Sequence, residues 1–463
     1  MVSFIVALIV LIVGFCTYGV LVEKIFGVEP ERKTPALTKT DGVDFVPMSS
    51  WRIFLVQFLN IAGLGPIFGA IMGICFGPSA FLWIVFGTIF GGGVHDYLSG
   101  MMSIRKGGVS LPNIIGEELG KGVKAFMLVL SLVLLILLTT TFLSGPANLL
   151  QGLQGLGTMS VGDHVIPIVW VLIIFGYYAL ATVLPVDKLI GRFYPIFGAI
   201  LLFMGLGIMV IMLGWHSADM PEVFGAHGLE NWHHKDYPIF PMMFVSIACG
   251  AISGFHGTQS PIMARCCTNE RQGRWIFYGA MVAEGILALI WAAAAGTFFA
   301  GNGIDGIDGL QNYLAEHNNN PSAVIDIVSR DWLGAVGGIL AIIGVIAAPI
   351  TSGDTALRSA RLIVADFLHL DQRPIPKRLI IALPLFLCVF GMVFVDFGIV
   401  WRYFAWTNQT LACFTLWAGT VWLKRNSKYQ YGWLMAAIPA IFMTVVCTCY
   451  ILVAPEGFNL HLW

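Results

Sequence analysis

Long apolar stretches alternate with short polar connections along most of the chain. Twelve stand out, near Val2–Val22, Ile53–Phe76, Ala80–Ser103, Ala125–Ser144, Val165–Leu184, Phe193–Leu213, Ile239–Ala264, Trp275–Ala300, Leu333–Leu357, Leu379–Phe397, Ile399–Leu423 and Gly432–Ala454. Each is close to the ~20 residues a helix needs to cross ~30 Å of hydrocarbon. The pattern predicts an all-α polytopic membrane protein with about twelve transmembrane helices. The first stretch is expected to span rather than be cleaved, because no basic residue precedes it and its apolar core is long. The tenth and eleventh stretches are separated by a very short gap and form the tightest predicted hairpin.

Basic residues sort by side. With the N-terminus outside, the inner connections collect 22 of the 25 lysines and arginines, including Arg105, Lys188, Arg192, Arg265, Arg274, Arg358, Arg361, Arg373 and Arg378. The outer connections hold Lys235, Arg330 and Arg402. Cytoplasmic connections are the ones enriched in Lys and Arg, so an even number of spans with both termini outside is expected. The outer connections Trp215–Asp236 and Gly301–Asp331 are rich in Asp, Glu, His and Asn and long enough for short surface helices or a lid. Only 11% of the chain is charged and 57% is hydrophobic, against roughly 25% charged in soluble domains. This composition excludes a disordered chain, a nucleic-acid binder and an ordinary soluble enzyme.

The informative residues are those that do not suit lipid. The second stretch contains Asn60-Ile-Ala-Gly63-Leu-Gly65-Pro66, and the seventh contains Ser253-Gly-Phe-His256-Gly257-Thr258-Gln259-Ser260-Pro261. Proline cannot continue a helix from the preceding turn but suits the first position of a new one. Ser260 and Gly65 are then acceptable N-caps. Each stretch is expected to hold two half-helices joined by extended backbone near mid-membrane. Unpaired backbone at that depth costs several kcal/mol unless it lines a polar cavity or binds something. Half-helices starting at Pro66 and Pro261 would aim amides at a carboxylate. The competing reading is a pair of packed proline kinks.

The two interrupted stretches lie five helices apart and cross in opposite directions. Each opens a five-helix unit, over 51–214 and 239–424, with 1–50 before, 215–238 between and 425–463 after. This is the arrangement expected of an inverted-repeat transporter with one extra helix at each end. A third break is expected at Ala348-Pro-Ile-Thr351-Ser352-Gly-Asp354-Thr355, where clustered hydroxyls and carbonyls suit a small hard cation such as Na⁺. Asp354 is suited to holding a cation, carrying a proton or capping the helix. Intramembrane Asp96 and Glu284 are candidates for proton carriage, gating or buried pairing. His256 is a candidate for substrate contact or protonation, or a hydrogen-bonded core residue. Asn408 and Gln409 either line the cavity or bridge helices.

The nine cysteines read as packing residues. His216, His227, His233 and His234 share an outer connection but match no compact ligand spacing, so no metal site is expected beyond a possible Na⁺. No catalytic or nucleotide motif appears, and the chain is not expected to be an enzyme.

Several stretches resemble the carbon starvation protein A family of bacterial inner-membrane transporters. They are Asp41–Trp51, Ile61–Gly69, Leu82–Ser99, Ser253–Cys266, Phe277–Ala293, Pro349–Asp366 and Trp401–Thr410. Thr-Gln-Ser-Pro-Ile-Met-Ala-Arg at 258–265 and Pro-Ile-Thr-Ser-Gly-Asp-Thr-Ala at 349–356 are the most distinctive. The resemblance implies uptake of pyruvate or small peptides driven by a cation gradient. It also implies the leucine-transporter-like, five-plus-five core of the amino acid–polyamine–organocation superfamily. The chain departs from the family pattern at Gln57-Phe58, where members carry a His pair, at His95-Asp96 for Gln-Asp, and at His256-Gly257 for His-Ala.

The expectation is a secondary transporter for a small carboxylate, with peptide or amino-acid uptake as the alternative and a channel, sensor or intramembrane enzyme as other classes. Substrate would meet Gly63, Gly65, Pro66, Ser253, His256, Gly257, Thr258, Gln259 and Ser260. Coupling by Na⁺ or H⁺ would involve Thr351, Ser352, Asp354, Thr355, Glu284 and Asp96, with Asn408 and Gln409 lining the cavity. No organic cofactor and no nucleic-acid partner are expected beside the lipid bilayer. Oligomeric state is not encoded in a way the sequence reveals.

Overall fold

Apolar stretches of this length fold as helices because lipid offers the backbone no other hydrogen-bond partner. The computed structural model has a helix in every one of the twelve predicted stretches. These are α1 (Val2–Phe26), the pair α2 (Ser50–Ile61) and α3 (Leu64–Phe76), α4 (Ser79–Arg105), α5 (Lys121–Leu153), α6 (Ile168–Val183) and α7 (Val186–Trp215). After them come α8 (Gly254–Ala264), α9 (Glu270–Phe299), α10 (Ser322–Leu368), α11 (Ile375–Met392), α12 (Phe397–Asn426) and α13 (Leu434–Val453). The structure describes all residues except 154, 162–163, 184–185, 226, 234–236, 302–305, 318, 371, 373, 396, 456 and 461–463. It describes backbone without side chains at 153, 161, 164, 183, 186–194, 300–301, 306–307, 335–338, 340–342 and 397–398. His234, Lys235 and Arg373 of the sequence reading therefore lie outside the described residues, as do the side chains of Lys188 and Arg192.

Among the described residues, seven helices are long and apolar enough to cross a membrane singly, and the bent pair α2–α3 raises the number to eight. The remaining predicted stretches, α6, the interrupted seventh, α10 and α12, are helical as well. The outer connections carry the expected short helices, Ser217–Asp219 and Gly306–Glu316. A small antiparallel hairpin, Met159–Val161 with His164–Ile166, joins α5 to α6 and was not anticipated.

The interruptions fall at different residues from those the prolines suggested. The second stretch breaks at Ala62–Gly63 with a bend of 48°, so Pro66 is the third residue of α3. The seventh breaks over 247–253, and α8 starts at Gly254 with Ser253 as its N-cap. Pro261 sits inside α8, where its missing amide removes one bond without ending the helix. The third expected break is absent: 348–355 is helical with Pro349 inside α10, whose one non-helical residue is Gly334. Ser352 and Thr355 set their hydroxyls against carbonyls three or four residues back along this helix.

The helices pack in matched pairs. Helix α3 packs on α9 and α8 on α4; α5 crosses α10; α12 packs on α5 and α7 on α10; α2 packs on α7 and α8 on α12. The outlying α1 lies against α4 and α9, and α13 lies against α12. The two interrupted helices occupy the middle of this assembly, with the polar residues they carry sealed from the surface.

Candidate functional site

The two breaks touch each other. A Cβ added at Gly65 would overlap Cys249 Cβ and lie 2.5 Å from its Sγ. A Cβ at Gly69 would lie 2.7 Å from the Ser246 carbonyl oxygen, and one at Gly250 would lie 3.4 Å from Pro66 Cα. Gly250 has φ +96°, a left-handed conformation that side-chain-bearing residues rarely adopt. The glycines thus let the first turns of α3, just past the first break, approach the unwound segment of the second.

Backbone polar groups freed by the second break are taken up by its neighbours. Asn408 Oδ1, on α12, accepts from the Phe255 amide at 2.7 Å and from Ser253 Oγ at 3.1 Å, capping α8. Gln409 Nε2 donates to the Ile252 carbonyl at 3.3 Å, and Thr88 Oγ1 donates to the Gly250 carbonyl at 2.9 Å. Asn408 and Gln409 are therefore bridges between α12 and the break. The start of α3, by contrast, has no side-chain cap.

The first break exposes carbonyl oxygens at the end of α2. Ser352 Oγ, on α10, lies 2.9 Å from Asn60 O, 3.3 Å from Leu59 O and 2.8 Å from Ala348 O. One hydroxyl hydrogen satisfies only one of these three acceptors, so the place is rich in oxygen lone pairs. The Asn60 side chain is buried beside it, and neither its oxygen nor its nitrogen is hydrogen-bonded. Thr351 and Thr355 turn their hydroxyls onto their own helix instead, toward Ala348 O and toward Thr351 O and Ser352 O. Asp354 is buried on the same helix, next to Gly353, against which Tyr178 packs.

On the other side of the second break four ionisable residues converge. His95 Nδ1 lies 2.8 Å from Asp96 Oδ1, and His256 Nδ1 lies 3.0 Å from Asp96 Oδ2. His256 Nε2 lies 3.4 Å from Glu284 Oε2. All four side chains are 0% exposed. Asp96, His256 and Glu284 stand nine, nine and ten residues from Arg105, Arg265 and Arg274. At ~1.5 Å per residue this places them ~14–15 Å inside the arginine-bearing ends of their helices, at one level.

The remaining predicted site residues lie farther along α8. Gly257 faces His95 and Leu111. Thr258 donates to Phe255 O, Gln259 donates to Ser359 Oγ at 3.2 Å, and Ser260 Oγ accepts from Gln57 Nε2 at 3.2 Å. These side chains tie α8 to α10 and α2 and sit within the helix rather than in the break. A separate cavity of about 340 Å³ opens on the flank of α10, walled by apolar side chains such as Leu150, Tyr177, Phe197 and Ile343 and reaching Thr351.

One polar cluster had no sequence signal. Asp44, in the connection before α2, is buried and faces Arg358 Nη1 and Arg361 Nη2, each at 3.5 Å. Burial pushes the Asp44 carboxyl up, but Arg361, Arg358, Arg265 and Arg378 outweigh it and hold the group below the usual carboxylate range. In the sequence these arginines registered only as cytoplasmic charge, and Asp44 as a loop acid. The cluster fastens the entrance of α2 to the C-terminal end of α10.

Among the described outer histidines, His216 stacks on Trp332, His227 bonds Glu230 and His233 packs against Phe76 and Tyr237. Among the described residues no group of three or more His, Cys, Asp or Glu is placed to hold a metal.

A polytopic helical bundle with two interrupted helices meeting at its centre is a fold shared with solved membrane transporters. It covers 88% of this chain and 99% of MhsT, solved in complex with L-phenylalanine, at a TM-score of 0.60 and 14% identity. It likewise covers 89% of this chain and 91% of a manganese transporter of Eremococcus coleocola, at a TM-score of 0.57 and 13% identity. The family described as Carbon starvation protein CstA matches residues 1–172, 164–307 and 319–450, and the chain belongs to that family. An uncharacterized membrane protein of Haemophilus influenzae is 46% identical over 63% of this chain and 89% of its own length. A peptide transporter CstA of Campylobacter jejuni is 26% identical over 96% of this chain and 78% of its own. A pyruvate/proton symporter, BtsT of Escherichia coli, is 26% identical over 63% of this chain and 49% of its own.

Proposed function

We propose that this protein is a cation-coupled secondary active transporter that imports a small carboxylate, pyruvate first, across the bacterial inner membrane. The observation that carries the reading is the direct packing of two interrupted helices, the start of α3 against the second break, with the start of α3 left without a side-chain cap. Interrupted backbone is tolerated at mid-membrane where it serves a binding site. A carboxylate at the start of α3 would meet amide dipoles there, with Ser253 and the Asn408-capped start of α8 on the facing side. Short peptides or amino acids are the second reading. It is favoured by relatives named peptide transporters, as the first is by the relative named a pyruvate/proton symporter.

The matched packing pairs support an inverted five-plus-five repeat. Exchanging the unit that starts at α2–α3 for the one that holds α8 exchanges α3–α9 with α8–α4 and α12–α5 with α7–α10, while α5–α10 maps onto itself. Such a repeat carries alternating access as rocking of one unit against the other. The charge bias favours both termini on the outer side. The oxygen-rich place around Ser352, Asn60 O and Leu59 O favours Na⁺ as a bound cation. Counterflow in proteoliposomes with labelled pyruvate, alanine and dialanine tests the reading. Exchange of one of them at equal concentrations on both sides is expected; no exchange of any would remove it.

A further inference from the structure

Resting on that carrier reading, we propose that Glu284, His256, Asp96 and His95 form a sealed proton-carrying site beside the second break, and that a proton is a coupling ion. The argument starts from charge. Two carboxylates and two imidazoles lie together at 0% exposure. Among the described residues no lysine or arginine is paired with any of them. With both carboxylates ionised and both imidazoles neutral, the cluster would hold two uncompensated negative charges in a low-dielectric interior, which is strongly unfavourable. Each proton taken on removes one of those charges. No other compensating group is at hand, so the occupant that balances the site is the proton.

Geometry divides the labour within the cluster. Both oxygens of Asp96 are engaged, one by each imidazole Nδ1, at 2.8 and 3.0 Å. Asp96 and His95 thereby fix the His256 ring with its Nε2 turned toward Glu284, and they act as positioning residues. Neither oxygen of Glu284 has a well-formed hydrogen bond, and its nearest ionisable partner is His256 Nε2 at 3.4 Å. A proton passes between His256 Nε2 and Glu284 Oε2 without any other bond changing: as one gains it the other loses it, and Asp96 keeps the Nδ1 hydrogen.

The site sits where it can sense transport. Gly250 of the unwound segment is pinned by Thr88, which also lies under Gly285, the residue after Glu284. The same segment contacts α3 through Cys249 and Gly65. The groups that face Glu284 are His256 on α8, Asp96 on α4, and the Gly250 backbone and Cys249 thiol in the break. Movement of one break against the other therefore changes the surroundings of Glu284 and lets its proton leave.

Two experiments decide this. The full-length protein in weakly buffered detergent with a pH-reporting dye is mixed with pyruvate and, separately, with dialanine; uptake of one proton per bound probe is expected from wild type. In proteoliposomes an inward proton gradient is expected to drive several-fold accumulation by wild type. With Glu284→Gln the inside-to-outside ratio falls to one while exchange stays detectable. Probe binding without proton uptake, or accumulation by Glu284→Gln equal to wild type, would overturn the proposal and leave the carrier reading standing. Absence of counterflow for every probe overturns the carrier reading itself, and this inference with it. If Glu284→Gln does not fold, the wild-type dye measurement decides alone.

Discussion

Gly65→Ala is the substitution that most sharply loads the contact between the two breaks. The new Cβ overlaps Cys249 Cβ and approaches Sγ to 2.5 Å, where ordinary contact begins at 3.4 Å. Cys249 Cβ is bonded to its own backbone and cannot rotate away, so the segments must separate by about 1 Å. Overpacking of this kind costs about 1–3 kcal/mol, equivalent to a roughly 5- to 160-fold smaller share of the closed state. Cys249 is buried when the breaks touch, so its alkylation by N-ethylmaleimide, followed by mass spectrometry of its peptide, reads the open fraction. Labelling of Cys249 is expected to accelerate by that factor, while Cys413, buried against Cys447 at 3.6 Å, labels at the parental rate. Unchanged labelling of Cys249 would refute the direct contact of the breaks. Equal acceleration at Cys413 would show general loosening instead.

Asp44→Asn leaves Arg358 and Arg361 facing a neutral group and is expected to cost about 3–5 kcal/mol of stability, seen as a lower unfolding temperature in detergent; an unchanged midpoint argues against the fastening role. The Asp44 carboxyl is held below its usual range in the folded protein. Its stabilisation is therefore complete above the unfolded value near pH ~4 and is lost as pH falls below it. Wild type should lose stability there more steeply than Asp44→Asn. Asn408→Ala strands the Phe255 amide and the Ser253 hydroxyl, a loss of about 1–3 kcal/mol; Asn408→Asp keeps the acceptor and should recover most of it in the same melt. Where Na⁺ stimulates uptake, Ser352→Ala is expected to raise the half-saturating Na⁺ roughly tenfold, about 1.4 kcal/mol; an identical Na⁺ response removes Ser352 from ion binding.

Spans were legible because a helix in lipid needs a long uninterrupted apolar run, and little else in the chain competes with that signal. The interruption of the second stretch was legible from Gly63, Gly65 and Pro66, though the helix restarts at Leu64 rather than at the proline. In the seventh stretch the prolines misled. Pro261 lies within α8, and the backbone that does unwind, 247–253, is mostly apolar with Gly250 its one helix-weak residue. The third expected break failed for the same reason, since Pro349, like Pro261, lies inside a helix that continues through it. Asp96, His256 and Glu284 each stood out as ionisable residues in apolar surroundings. Their meeting depends on three helices distant in sequence, which no local pattern encodes. Asp44 was invisible for the opposite reason: an acid in a polar connection looks solvated until the four arginines around it are seen in three dimensions.

Labelled pyruvate and dialanine uptake into sealed proteoliposomes, under an imposed inward proton or sodium gradient and with an ionophore control, separates a coupled carrier from every other class. Accumulation of one probe above its outside concentration, collapsing to equality when the ionophore is added, is the expected result. Uptake that only ever equilibrates, whatever gradient is imposed, would mean that the crossed broken helices form a passive pore and not a carrier.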